Sequence, residues 1–472
     1  MGFKRREFLK TSGTGLAAFG LGGITLACKD KKKSDVVSKV DVKKETKIPF
    51  KMVAPEHPDI PERVFNIQDF GAIEGGRIKA TASFSKAIAN ADASGGGRIV
   101  VPKGKWLTGA IHLKDNIELH LTYGAELYFS HDPQDYLPIV FTRWAGYEIM
   151  NYSPLIYANG CKNIAITGKG KLFGNGKLWE WKKWKNREDG PEGIGMQLHQ
   201  MVLNGVPPEQ RIFGLPEKGN RPQFINLVNC EKVLLDGFSI AEPGPFWTIH
   251  ILYSNMVRVN NVSILTQGVQ NTDGIDIDSS RNVIVENCFF DTHDNSVAIK
   301  SGVNEDGRRV GKPSENIVIR NIKAVGKSIA IGSEMSGGVR NVLISDCEFT
   351  GTKGGFGFRI KSNPSRGGFV ENVWIKNYFM KTARRAAIAI TTKYFAWMAG
   401  TNEEHPPLLK NINLENIYCQ KAETGIVIES SKERPIEELS IKNVSINALN
   451  SFSMDYVKGL ELQNVVIKPL PQ

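Results

Sequence analysis

Asn282-Val-Ile-Val-Glu-Asn287, Asn316-Ile-Val-Ile-Arg-Asn321 and Asn341-Val-Leu-Ile-Ser-Asp346 are variants of one six-residue phrase. Related copies begin at Asn163, Lys232, Asn372, Asn411, Glu438 and Gly459, and successive starts often lie 21 to 27 residues apart, with longer gaps where loops intervene. Each copy reads as a short strand alternating at period two, closed by an Asn, Asp or Gly suited to a left-handed turn. One strand and one turn cannot bury their own apolar face. Stacking coil on coil does so, which predicts an all-β, right-handed, single-stranded parallel β-helix. A propeller needs blades of about 40 residues and hairpin turns, which are scarce here.

The first coil of such a solenoid requires a cover. Thr81 to Ser94 (TASFSKAIANADAS) carries an amphipathic helical pattern, and Gly95-Gly96-Gly97 ends it before the strand-like Arg98-Ile-Val-Val-Pro102. This is the expected N-terminal helical cap of one domain, 61–472. The whole chain has 472 residues, 41% hydrophobic and 23% charged, which excludes a wholly disordered chain and a polytopic membrane protein. Its 47 glycines follow no collagen period and belong to turns.

The net charge of +11 is concentrated near the N-terminus: from residue 48 onward, 48 basic residues face 44 acidic ones. Nucleic acid is therefore disfavoured as a partner. Lys4-Arg5-Arg6-Glu7-Phe8-Leu9-Lys10, followed by an apolar run from Gly15 to Ala27, reads as an export signal too short to span a bilayer. The arginine pair resembles a bacterial twin-arginine signal, and Ile24-Thr-Leu-Ala-Cys28 resembles a lipobox. The expectation is a signal over 1–28, lipidation at Cys28, a flexible tether over 29–60, and a periplasmic or outer-membrane-anchored lipoprotein, or a secreted protein if Cys28 stays unmodified. Contact with membrane would then run only through that lipid. The other five cysteines form no CxxC or Cys/His cluster, so neither a zinc site nor any other metal is expected, and they read as small buried hydrophobes.

Four blocks carry a family resemblance. Asn271-Thr-Asp-Gly-Ile-Asp-Ile-Asp-Ser279 resembles the NTDGxD signature of the polygalacturonase family of glycoside hydrolases, family 28. Phe290-Asp-Thr-His-Asp-Asn-Ser-Val-Ala-Ile-Lys-Ser-Gly302 resembles its second block, and Ile331-Gly-Ser-Glu334 and Arg359-Ile-Lys361 the third and fourth. The resemblance implies an inverting hydrolase of galacturonate-containing chains that needs no cofactor, with Asp294 as general acid and Asp273 holding and deprotonating water. These two lie 21 residues apart, about one coil, so neighbouring rungs can present them on one face. Arg359 and Lys361, two apart on a strand, project together and suit a uronate carboxylate. Asp276 and Asn271 are expected to support Asp273, with Asp276 and Asp278 bonding nearby turn amides.

Two positions depart from the family. Asn295 stands where its second adjacent aspartate belongs, and an amide can hold water but cannot act as a general base. The family's histidine, counted back from Ile331-Gly-Ser-Glu334, falls on Gly326; His293, beside Asp294, is either a partial substitute or a surface histidine. Asn295 and His293 therefore enter as candidate substrate contacts. Trp179, Trp181 and Trp184, interleaved with lysines, suit either sugar stacking or packing on the solenoid flank. The expected partner is an acidic polysaccharide or oligosaccharide, and the expected state a monomer. A rhamnogalacturonan or other acidic-glycan hydrolase, an impaired glycan-binding protein and, behind them, a polysaccharide lyase are the alternatives.

Overall fold

A computed structural model describes residues 46–178, 191–214, 220–351, 355–394 and 405–470. The leader, Cys28 and the Trp179–Trp184 segment lie outside these residues. The chain winds into a right-handed parallel β-helix whose strands form three ladders. The repeated phrase occupies one ladder, running through Glu231–Asp236, Asn255–Asn260, Arg281–Glu286, Ser314–Arg320 and Val339–Phe349. A second stacks Ile225–Val228, Ile249–Leu252, Ile275–Asp278, Val297–Lys300, Ile329–Gly332 and Phe356–Lys361. The third passes through Ser239–Glu242, Ser263–Thr266, Phe289–Thr292 and Lys323–Ala324.

The asparagines of the phrase explain why the coils superimpose. Asn282, Asn316, Asn341, Asn372 and Asn411 all have φ between 51° and 57°, the left-handed region that an L-residue other than Asn enters at a cost. Each donates its amide to the asparagine one coil earlier: Asn316 to Asn282 at 3.2 Å, Asn341 to Asn316 at 3.0 Å, Asn372 to Asn341 at 3.2 Å and Asn411 to Asn372 at 2.7 Å. Between these turns the inward side chains stack in rows. Ile275, Val297, Ile329 and Phe358 form one row and Ile277, Ile299, Ile331 and Ile360 the next, all buried. Burying each contributes about 1.5–3 kcal/mol, so removing one is felt along its row.

The cap helix spans Thr81–Ala93 and buries Phe84, Ala87, Ile88 and Ala91 on the first coil. The glycines that end it are required by space as well as by φ: a Cβ on Gly96 would lie 2.4 Å from the Asn116 side chain. All five described cysteines are buried and free of disulfides.

The flexible tether over 29–60 needs correction in its last part. Ile48, Phe50 and Met52 pack on Ile284, Val318, Leu343 and Trp374, with the Phe50 and Trp374 rings 5.9 Å apart. Thr46 donates to Asp346 at 2.8 Å, and Glu56 pairs with Lys232 at 2.7 Å. The cause is in the repeat itself, whose outward positions Ile284, Val318 and Leu343 are apolar and form a stripe that something must cover.

Candidate active site

Register on the second ladder fixes the site. Side chains alternate, so Asp276 and Asp278 point outward together, as do Ala298 and Lys300 beside them, and Arg359 and Lys361 two coils on. The backbone then sets Asn295, not Asp294, level with Asp273: Gly274 N–H donates to Asn295 O at 2.9 Å and Ile275 N–H to Ser296 O at 3.0 Å. The Asn295 amide donates to Asp273 Oδ2 at 2.8 Å. Asp294, one residue earlier, accepts the Asn295 N–H at Oδ1 (3.0 Å) and meets Lys327 Nζ at Oδ2 (3.0 Å).

Asp273 is 3% exposed, and its pKa is pushed up to about 6, first by burial and then by the Asp294 carboxylate; Lys300, the Asn295 amide and Lys361 restrain the rise. The Lys300 ammonium is the cation beneath it. It reaches Glu334 Oε2 at 2.8 Å and Asp276 Oδ1 at 3.6 Å, and lies 4.5 Å from the centre of the Trp247 ring. Burial opposes its charge, yet Glu334, Asp276 and Asp273 outweigh that and hold it protonated well above the lysine range. Glu334, which burial would raise, is instead held at about 2 by Lys300 and Lys361.

Two sequence expectations fail on this geometry. Asp276 bonds no turn amide among the described residues: its buried carboxyl oxygens make no hydrogen bond with any of them, and burial pushes its pKa well up. Asp278 does not bond amides either. It pairs with Arg143 at 2.6 Å and His250 at 3.2 Å, and those two partners override burial and hold it at about 2. Both point away from the turns because they belong to a strand. Asn271 supports the site indirectly, by accepting from buried Arg221 at 2.9 Å.

Arg359 and Lys361 share a face, as expected, and Tyr394 supports both: its ring lies 4.6 Å from the Arg359 guanidinium carbon and 5.3 Å from Lys361 Nζ. Phe356 flanks Arg359 at 4.1 Å. Burial lowers the Arg359 pKa, so this cation gains from an incoming anion. His293 is half-buried beside Asp294 in the chain. Gly326 cannot carry a side chain toward the acids, because a Cβ there would lie 2.2 Å from the Thr292 carbonyl oxygen. From that coil it is Lys327 that reaches them.

One end of the ladder is closed. The hairpin of Val140–Trp144 and Tyr147–Asn151 lies across the outward row Tyr157, Asn226 and His250. Tyr157 Oη donates to Phe141 O at 2.7 Å, Thr142 Oγ1 to Asn226 Oδ1 at 2.8 Å, and Gln223 Nε2 to Arg143 O at 2.9 Å. Asn226 and His250 are fully buried beneath it. Trp144, Phe246 and Trp247 stack at 5.5 and 4.9 Å beside the helix Pro191–Leu203, and Glu148 pairs with Arg309 at the hairpin's far strand. Lys300 was legible from alternation two residues after Ala298. The hairpin, Lys327 and Tyr394 had no periodic signal to give them away.

This arrangement of carboxylates and cations on the outer face of a β-helix agrees with the match of glycosyl hydrolases family 28 to residues 94–465, and the chain belongs to that family. It is an O-glycosyl hydrolase, and the lyase reading falls away. Among solved structures, the hyperthermoactive exopolygalacturonase from Thermotoga maritima is 35% identical, with a TM-score of 0.82 over 88% of this chain and 94% of that one. A probable polygalacturonase of Vitis vinifera is 28% identical over 81% of this chain and 74% of its own length. An exo-poly-alpha-D-galacturonosidase of Dickeya chrysanthemi is 25% identical over 86% and 71%.

Proposed function

We propose that this enzyme is an exo-acting, inverting hydrolase that removes sugar acids from one end of a galacturonate-containing polysaccharide or oligosaccharide. The observation that carries the exo mode is the hairpin over Tyr157, Asn226 and His250, which leaves a chain no path beyond the His250 rung. The exopolygalacturonase and exo-galacturonosidase relatives support the same reading. Asp294 protonates the leaving oxygen. Asp273, as the one ionisable group of the Asp273–Asn295 pair, takes the proton of the attacking water, which Asn295 helps to hold. Arg359 and Lys361, braced by Tyr394, receive the uronate carboxylate.

The enzyme also reads as exported and tethered by a lipid on Cys28, on the strength of Arg5-Arg6 and Ile24–Cys28. The assignment of chemistry is tested by Asp294→Asn and Asp273→Asn, each expected to remove about 10²-fold or more of kcat on oligogalacturonate while leaving thermal unfolding unchanged. Unchanged turnover in either variant refutes the corresponding role.

A further inference from the structure

Arg385 stands one coil beyond Arg359, farther from the hairpin, and an irregularity of the backbone puts it there. The strand Phe369–Thr391 pairs Ala383 with Ala422 and Ala386 with Thr424, so Arg384 and Arg385 together oppose Glu423 alone. That is a β-bulge, which re-aims a side chain out of regular alternation. On the strand's other edge the Arg385 N–H donates to Gly355 O at 2.6 Å, and Ala386 pairs with Phe356. The arginine stem runs past Gly355, where a Cβ would lie 3.6 Å from Arg385 Cδ. It brings the guanidinium carbon to 5.7 Å from the centre of the Phe356 ring, the ring that Arg359 meets at 4.1 Å.

One phenyl ring therefore carries two guanidiniums. Neither has an ion pair among the described residues, and the buried Nε of Arg359 makes no hydrogen bond with any of them. Burial lowers the Arg359 pKa and the Arg385 charge lowers it further, while Tyr394, Glu429 and Asp294 act the other way from a distance. Two like charges held on one ring, one of them half-buried, favour an incoming anion. Arg385 is exposed, so an anion reaches it from solvent.

The position of Arg385 along the solenoid says which sugar it meets. Arg359 interacts with the Asp294 charge and Lys361 with that of Asp273, which puts Arg359 on the side of the acid and so of the leaving sugar. With the hairpin closing the ladder at His250, an oligosaccharide lengthens only toward the later coils. Coils follow one another at about 4.8 Å, comparable to the length of one pyranose, so the next coil lies beside the next sugar. Resting on the hydrolase reading above, we propose that Arg385, re-aimed by the bulge and seated on the Phe356 ring, binds the carboxylate of the sugar acid that follows the leaving one. This is a further uronate subsite. It reads the added sugar by its charge and favours longer acidic chains over the shortest substrate.

The test is the dependence of kcat/KM on chain length in the full-length enzyme, using oligogalacturonates from the shortest that is cleaved upward. The first sugar added to that substrate should raise kcat/KM about tenfold, the size expected of one charge-assisted hydrogen bond. Reducing the carboxyl of that sugar to the alcohol should remove the gain in the native enzyme. Arg385→Met should remove it too, with thermal unfolding unchanged, and Arg385→Lys should keep part of it, since lysine retains the charge without the guanidinium fork. No gain in the native enzyme, an equal gain from the reduced sugar, or a full gain retained in Arg385→Met overturns the subsite alone. A loss in Arg385→Met as large on the shortest substrate as on the longer one also overturns it, because Arg385 would then act on the sugar held by Arg359. Failure of the native enzyme to cleave any oligogalacturonate overturns the hydrolase reading on galacturonate and this inference with it.

Discussion

Asn295→Asp places a second carboxylate against Asp273 where an amide now donates at 2.8 Å. Two unit charges about 4 Å apart at an effective dielectric of about 20 repel by about 4 kcal/mol, or about three pKa units. Lys300 and Lys361 already favour the ionised form of Asp273 and will absorb part of this, so a net rise of about one unit is the minimum expected. Asp273 sits at about 6 in the native enzyme and must be ionised to take a proton from water, so kcat/KM should fall as pH drops through about 6. In the variant that acid limb should lie near pH 7 or higher. At pH 5 the loss relative to wild type is then about tenfold, whereas above the new limb the added carboxylate supplies a second base and turnover on plain galacturonan should rise. The assay is a pH series of kcat/KM on trigalacturonate for both proteins. An acid limb that stays in place, or moves down, refutes the pairing of Asn295 with the water-activating carboxylate.

Lys361→Met should raise KM for oligogalacturonate far more than for its carboxyl-reduced analogue; equal losses on both would make Lys361 structural. Arg143→Met strands Asp278 in the interior and should cost about 3–5 kcal/mol in urea unfolding at neutral pH. Asp278 is depressed to about 2 when folded, so that stabilisation is present above the ordinary aspartate range and lost as pH falls toward 2; the gap between the two proteins should narrow over that window. Cys28→Ser should move the protein from a detergent-extracted membrane fraction to the soluble fraction after cell fractionation, and an unchanged distribution would remove the lipid anchor.

The β-helix was legible because one physical requirement recurs in every coil: a left-handed turn residue, then inward apolar side chains two apart. Asn282, Asn316 and Asn341 show it, and the structure adds only that their amides also bond one another. Arg359 and Lys361 were legible for the same reason, since alternation on a strand fixes which side chains share a face. The partner of Asp273 was harder. A spacing of about one coil cannot tell Asp294 from Asn295, because turn length between Thr292 and Ser296 decides which is level with Asp273. Lys327 was hidden by a count one residue away from the side chain that reaches the acids. The closing hairpin has no repeat at all. Arg143 and Asp278 are 135 residues apart, and only the fold joins them. Residues 46–56 were read as tether because they continue a Lys-rich stretch and carry Pro49 and Pro55; what recruits Ile48, Phe50 and Met52 is the apolar outward stripe of other coils.

Hydrolysis from a chain end with inversion has one direct test. Purified enzyme is incubated with long galacturonan, and the first products are followed by proton NMR and mass as they form. A single short saturated product is expected, appearing from the start without intermediate oligomers and released with the anomeric configuration opposite to that of the bond cleaved. A ladder of internal fragments would contradict the closed end built by the hairpin, and retention of configuration would contradict direct attack by water activated at Asp273.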